Sequence, residues 1–354
     1  MFRHSDLERI KKALEEGGGR SAGWFCSYTP VELIAAAGLH PIRISGAVTP
    51  SGHADLLMHT NICPFIKSCL ETLESGELDF IDMFIFTNGC DAQRRLYDVW
   101  RSLRPDKPAH LFCIPKLTGP DSLRRFEIEI GALKTWLEEA AGDKLTDDKI
   151  GKYIALYGKL RGLLSDLQHR GDISGKRMLE ILLEAQRSKP ETAIELIAAE
   201  EPAREQAHGA PRVLVTGGMI DDPEFIARIE KFGVRAIALD LCTGLRFTNV
   251  GIYDDHKSPV EALAEMYLLK TPCPRMICIP DTVDRLESLV SELKPDGVIV
   301  CSLKFCDTHL YNHQRIREML RREGTKALFI ESDYSSGSEQ IDTRIQAFVE
   351  MLKG

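Results

Sequence analysis

Twice along this chain a Cys-Pro step leads into a helical stretch, an apolar strand pattern follows, and a Cys-Asp step comes after it. The first run is Cys63-Pro64, the strand DMFIFTNG and Cys90-Asp91; the second is Cys273-Pro274, the strand DGVIVCSLKF and Cys306-Asp307. The separations are 27 residues (90 minus 63) and 33 residues (306 minus 273). Strands of this apolar, β-branched and aromatic type alternating with helices predict parallel sheets buried on both faces. Sulfur recurring where strands end and helices begin then falls on the carboxyl edge of the sheet, where open α/β folds hold their ligands. The apparent duplication predicts two such sheets, with two related sites facing each other.

The rest of the chain fits that frame. After a first helix, GWFCSYTP leads to the helix PVELIAAAG, which Gly38 should stop, and HPIRISG reads as a short strand. A glycine- and histidine-bearing loop from Ala47 to Thr60 precedes the helix ICPFIKSCLETLESGEL. The strand IDMFIFTNG and the helix CDAQRRLYDVWRSL follow. From Ser122 to Gln206 the 3.6-residue periodicity of EIEIGALKTWLEEAAG, DDKIGKYIALYGKLRGLLSDLQHR and GKRMLEILLEAQRS predicts helix after helix. Strand character restarts at PRVLVTGG and runs to TKALFIESD before a C-terminal amphipathic helix. The expected fold class is therefore α/β: two doubly wound Rossmann-like domains with parallel sheets, over residues 1–121 and 207–354, joined by a helical connector over 122–206. A length of 354 residues suits two cores of ordinary size.

Composition narrows the chemistry. A net charge of -8 argues against nucleic acid, which needs clustered Lys and Arg against its phosphates. No apolar run approaches the roughly 20 residues of a membrane span, and the charged N-terminal helix lacks a signal peptide's apolar region, so a cytoplasmic protein is expected. Ten cysteines in such a chain point to metal or redox chemistry, because cytosolic thiols stay reduced.

Pro64 and Pro274 suit the first turn of a helix, where the missing N–H is not needed. Cys63 and Cys273 would then sit beside unpaired helix N–H groups that favour a thiolate, and the same reasoning applies to Cys90 and Cys306. No pair has zinc-ribbon spacing, so any metal site is assembled from distant segments. The plain alternative is that these are small buried hydrophobes. Cys113 and Cys301, read as lying inside apolar strands, and Cys69 and Cys278, beside stronger candidates, are expected to be structural.

The strings FCSYTPVELIAAAGLHPIRISG, NICPFIKSCL, NGCDAQRRLYDVW, GGMIDDPEFIARIEKFGVRAIALDLCTGLRF, LKFCD and ESDYSSGSEQIDTRIQAFVEML together cover nearly the whole chain. They resemble the 2-hydroxyacyl-CoA dehydratase and benzoyl-CoA reductase component family. That resemblance implies a [4Fe-4S] cluster held by three cysteines, which match Cys63, Cys90 and Cys306, with one iron open to a substrate oxygen. This chain adds Cys26, Cys242 and Cys273 at comparable loop positions. Six thiolates, three from each half, resemble the family's double-cubane branch, so a double-cubane [8Fe-9S] cluster in the crevice between the domains is expected.

The resemblance further implies a separate ATP-hydrolysing iron-sulfur activator as electron donor. The chain has neither a P-loop nor a G-x-G-x-x-G turn, and Gly217-Gly218 reads as a strand-to-helix turn. Three functions follow: an anaerobic reductase of small molecules, working as a homodimer with its activator; a subunit of an (R)-2-hydroxyacyl-CoA dehydratase; or a non-enzymatic cluster carrier. Glu32, His53, His59 and Lys67 are candidate proton donors. His309 and His313 read as part of a solvated helix face.

Overall fold

A computed structural model of the chain describes residues 4–46, 52–200, 209–251, 256–278, 280–334 and 338–354. Two four-stranded sheets, parallel throughout, organise it. The first contains β1 (Ser21–Trp24), β2 (His40–Arg43), β3 (Met83–Thr87) and β4 (Ala109–Phe112), in the order β2-β1-β3-β4. The second contains β5 (Arg212–Gly217), β6 (Arg235–Asp240), β7 (Gly297–Leu303) and β8 (Lys326–Ser332), in the order β6-β5-β7-β8. Both therefore run second, first, third, fourth, so the duplication in the cysteine pattern extends to the topology. In each, the chain leaves the two central strands in opposite directions, which opens a switch point at their carboxyl ends.

The expected α/β class with two Rossmann-like parallel sheets is the observed one. All residues of β1, β2, β3 and β7 are buried, as a sheet covered by helices requires. The helix Thr282–Leu293 shows how one cover forms. Asp281 accepts the N–H groups of Val283 (2.8 Å) and Asp284 (3.1 Å), and Lys294 ends the helix in a left-handed conformation with its N–H on the Val290 carbonyl. Val283, Leu286, Leu289 and Val290 recur at helical spacing and pack with Leu214, Val298 and Val300 of β5 and β7. Full burial of such a side chain stabilises by about 1.5–3 kcal/mol, and Leu286→Ala should cost about 2–5 kcal/mol.

The chain divides into two compact units that interleave in sequence. Unit one comprises residues 1–161, 184–196 and 250–270; unit two comprises 162–183, 197–249 and 271–354. The helices of the expected connector are thus shared out, and its boundary near residue 206 lies outside the described residues. The helix Pro259–Leu268, from the second half of the sequence, packs in unit one against the helix Pro120–Ala141.

Local departures have local causes. The expected loop from Ala47 to Thr60 contains a short helix, Ala54–Leu57, while residues 47–51 lie outside the described part, as do 335–337 of the ESDYSSGSEQ string. Gly38 ends its helix with φ +75, a conformation glycine adopts without strain. Among the described residues no helix is long and apolar enough to cross a membrane.

Candidate functional site

In unit one, Cys26 lies two residues past the end of β1 and Cys90 three past the end of β3, the two central strands. Phe25, next to Cys26 in the chain, and Phe86 of β3 stack at 4.7 Å between ring centroids. The Cys26 carbonyl closes a turn by accepting the Thr29 N–H at 2.8 Å. Cys63 is the N-cap of the helix Pro64–Glu74, with Pro64 in its first turn as expected, and its carbonyl accepts from Ile66 and Lys67. Cys90 caps the helix Asp91–Leu103. Cys26 and Cys90 are half-buried, whereas Cys63 is buried.

The segment after Cys26 is held by buried polar groups from far along the chain. Glu32, fully buried, accepts from Arg161 Nη1 at 2.6 Å and from the Tyr267 hydroxyl at 2.7 Å, and Arg161 Nη2 donates to that same hydroxyl at 2.8 Å. Three residues beyond Tyr267, the buried Lys270 donates to the Ser27 carbonyl at 2.5 Å, with its ammonium 4.8 Å from the Tyr28 ring centre. Burial and the Glu32 carboxylate push the Tyr267 phenol well above its usual range. Glu32 is therefore committed to an ion pair instead of poised for proton delivery, and Lys67 is paired with Asp55 and the Thr60 carbonyl.

In unit two, Cys242 follows β6 and Cys306 follows β7. Cys306 caps the short helix Asp307–Leu310, and Phe305 immediately before it has φ +58, a strained conformation for a bulky residue. Beside Cys242 sits a residue that pattern reading missed. Arg246, 1% exposed, donates to the Gly217 carbonyl at 2.6 Å and to Asp240 at 3.1 Å, and lies 3.9 Å from Cys242 Sγ. Burial works against its charge, but Asp240, Cys242 and Cys273 outweigh burial and hold the guanidinium more firmly protonated than usual. Burial raises the Cys306 thiol, with Cys242 adding to the effect, while Thr308 and the His309 N–H oppose it. The four-residue spacing from Cys242 to Arg246 was the available signal: a cation one turn from a candidate ligand inside an otherwise apolar stretch.

Cys273 departs from expectation. Pro274 does not open a helix; residues 274–275 form a turn, with the Cys273 carbonyl accepting the Met276 N–H at 2.9 Å, and the helix starts only at Thr282. The Asp281 carboxylate, which satisfies two N–H groups at once, is the stronger start signal. The matching of Cys-Pro steps thus holds for Cys63 alone.

Cys113 stands one residue past β4, at the carboxyl edge and not inside the strand, whereas Cys301 is within β7, where burial pushes its thiol up to about 12. His309 is not on a solvated face: it is buried, and burial, with Arg246 and His313 adding, lowers its imidazole to about 3. His313 pairs with the Ser302 hydroxyl at 2.7 Å. Gly217-Gly218 is not a strand-to-helix turn: Gly217 is the last residue of β5 and Gly218 forms a bend beyond it, five residues before the helix Pro223–Glu230, and the Gly218 carbonyl accepts the Cys242 N–H at 3.3 Å. Among the described residues no three His, Cys, Asp or Glu side chains stand close enough together to hold a metal ion. By type and placement Cys26, Cys63, Cys90, Cys242 and Cys306 nonetheless suit a cluster assembled from several segments: they lie at sheet edges or helix starts, with a buried cation beside Cys242.

These observations define a duplicated parallel α/β chain with cysteines on the carboxyl edges of both sheets. Within it, residues 26–352 match the family described as 2-hydroxyglutaryl-CoA dehydratase, D-component, and the chain belongs to that family of enzyme components. It is 27% identical to a protein of Escherichia coli (strain K12) named as a dehydratase subunit, YjiM, over 96% of this chain and 93% of the relative. It is 24% identical to the (R)-phenyllactyl-CoA dehydratase beta subunit of Clostridium sporogenes, over 97% and 94% of the two chains. It is 25% identical to a benzoyl-CoA reductase subunit of Thauera aromatica, over 89% and 85%.

Proposed function

We propose that this chain is the cluster-bearing component of a low-potential iron-sulfur reductase of small molecules. Its ligands are Cys26, Cys63, Cys90, Cys242, Cys273 and Cys306, and its cofactor is of the double-cubane type. The observation that carries this reading is Arg246, a buried cation 3.9 Å from Cys242 Sγ at a sheet edge that also holds Cys306. A three-cysteine cubane would use only Cys306 of these. When bound, such a cofactor supplies single electrons at low potential and an iron open to substrate.

The chain's own residues prepare that role. Arg246 would offset the charge of the Cys242 and Cys273 thiolates, with Asp240 and Thr216 fixing its position through the bonds Asp240 makes to both. Lys270 and the Glu32, Arg161 and Tyr267 network hold the loop that carries Cys26. With no nucleotide-binding motif in the sequence, ATP hydrolysis belongs to a separate activator that docks on a homodimer of this chain in a reducing, anaerobic cytoplasm.

The relatives' names favour a second reading, a dehydratase subunit, for which the family resemblance implies a cubane on Cys63, Cys90 and Cys306. Anaerobic iron and sulfide quantitation on single serine variants separates the two, because hard oxygen replaces soft sulfur poorly. Cys242→Ser and Cys273→Ser should lose iron; unchanged iron in both, with loss confined to Cys63→Ser, Cys90→Ser and Cys306→Ser, makes the dehydratase reading correct.

A further inference from the structure

The edge of the second sheet opposite the cysteines carries a cavity of about 300 Å³, formed wholly within unit two. That volume is at the lower end for small-molecule sites. Arg212 and Arg235, the first residues of β5 and β6 and register partners across the two strands, line it together with Arg285. Ile237, Leu245 and Leu289 supply apolar walls.

Part of this polarity is structural. Arg212 donates to the Leu293 carbonyl at 3.0 Å, and Arg235 to the Gly171 carbonyl, so each ties down the end of a helix. Three lining groups have no such duty. Among the described residues the Arg285 guanidinium and the Glu292 carboxylate make no hydrogen bond or ion pair. Gln168 Oε1 is buried with no hydrogen-bond partner among the described residues, and an unmet buried acceptor costs about 1–3 kcal/mol. Arg285 and Glu292 are seven residues apart on the helix Thr282–Leu293, roughly 10 Å along its axis. That is beyond the i,i+4 spacing at which side chains pair on a helix, and Leu289 lies between them. A cation, an apolar side chain and an anion thus follow one another along a single helix stripe, next to an orphaned acceptor.

We propose that this cavity binds a small zwitterion with an apolar body, and that an apolar α-amino acid is the chemical class that fits. Its carboxylate meets Arg285 and Arg235, its ammonium meets Glu292 and Gln168 Oε1, and its side chain covers Leu289, Ile237 and Leu245. A simple anion would leave Glu292 repelling it and Gln168 unmet. An uncharged ligand would leave both charges unused.

The test is calorimetric titration of the full chain with L-phenylalanine and L-leucine. 3-Phenylpropanoate, which lacks the ammonium, and 2-phenylethylamine, which lacks the carboxylate, serve as controls. Saturable binding of at least one amino acid is expected, with each control at least about tenfold weaker, one charge-assisted contact being worth that much. Arg285→Ala and Glu292→Gln, both at partly open positions, should each weaken binding about tenfold, and Gln168→Leu should weaken it as well. The proposal is overturned if neither amino acid binds, if a control binds as tightly, or if binding survives unchanged in the folded variants. Iron content plays no part in the readout, so the result stands apart from the cluster assignment.

Discussion

Replacing Arg161 by methionine should strand a carboxylate in the core of unit one. Glu32 has no solvent exposure, and among the described residues Arg161 supplies both its only cation and its 2.6 Å hydrogen bond, leaving the Tyr267 hydroxyl as the remaining donor. Methionine fills much of the arginine stem's volume and carries no charge, so the loss is electrostatic more than steric. Removing one partner of a buried ion pair costs about 3–5 kcal/mol, because the other charge has left water without compensation. The guanidinium also lies 5.4 Å from the Tyr157 ring centre, a contact worth up to about 2 kcal/mol when desolvated. Urea unfolding of the metal-free chain should therefore show the transition of the unit holding Glu32 moving to lower denaturant by an amount equivalent to about 3–5 kcal/mol. The double variant Arg161→Met with Glu32→Gln, which removes both charges, should recover more than half of that loss. A single-variant loss under about 1 kcal/mol, the value of an exposed pair, would refute the reasoning.

Two further outcomes follow from unit two. In Gly217→Ala the new Cβ would fall 2.0 Å from the Cys301 carbonyl oxygen, so β5 and β7 must part; the variant should lose about 3 kcal/mol or more by thermal unfolding, and an unchanged melting temperature would show the strands to be more yielding than their packing implies. The pH dependence of stability should carry the signature of His309. Its folded value is depressed to about 3 and its unfolded value is about 6.5, so below pH 6.5 the unfolded chain takes up a proton that the folded chain refuses. Its contribution is complete above that pH and falls by about 1.4 kcal/mol per unit as pH drops. Denaturation of His309→Leu should show a shallower slope than wild type between pH 6.5 and 5, and equal slopes would remove His309 as the cause.

Much of this protein was legible along the chain, because its signals are local. An apolar run such as MFIFT suits a strand covered on both faces, and Pro64 after Cys63 suits the first turn of a helix, where its missing N–H is not needed. The α/β class, the two sheets and the placement of Cys26, Cys63, Cys90, Cys242 and Cys306 at sheet edges or helix starts followed from such steps. The exceptions were equally local in origin: Pro274 lost the start of a helix to Asp281, whose carboxylate satisfies two N–H groups where a proline merely dispenses with one.

Tertiary packing decided what no local signal encodes. Glu32 meets Arg161 across 129 residues and Tyr267 across 235, and nothing in the spacing of those residues marks them as partners. The strand order, the helix Pro259–Leu268 packing in unit one, and the burial of His309 likewise depend on which surfaces meet once the sheets have formed. Arg246 lies between the two. Its sequence neighbour Cys242 was visible, but its value to the site comes from burial beside Asp240 and Cys273, because a charge removed from water acts on its neighbours far more strongly than one left in it.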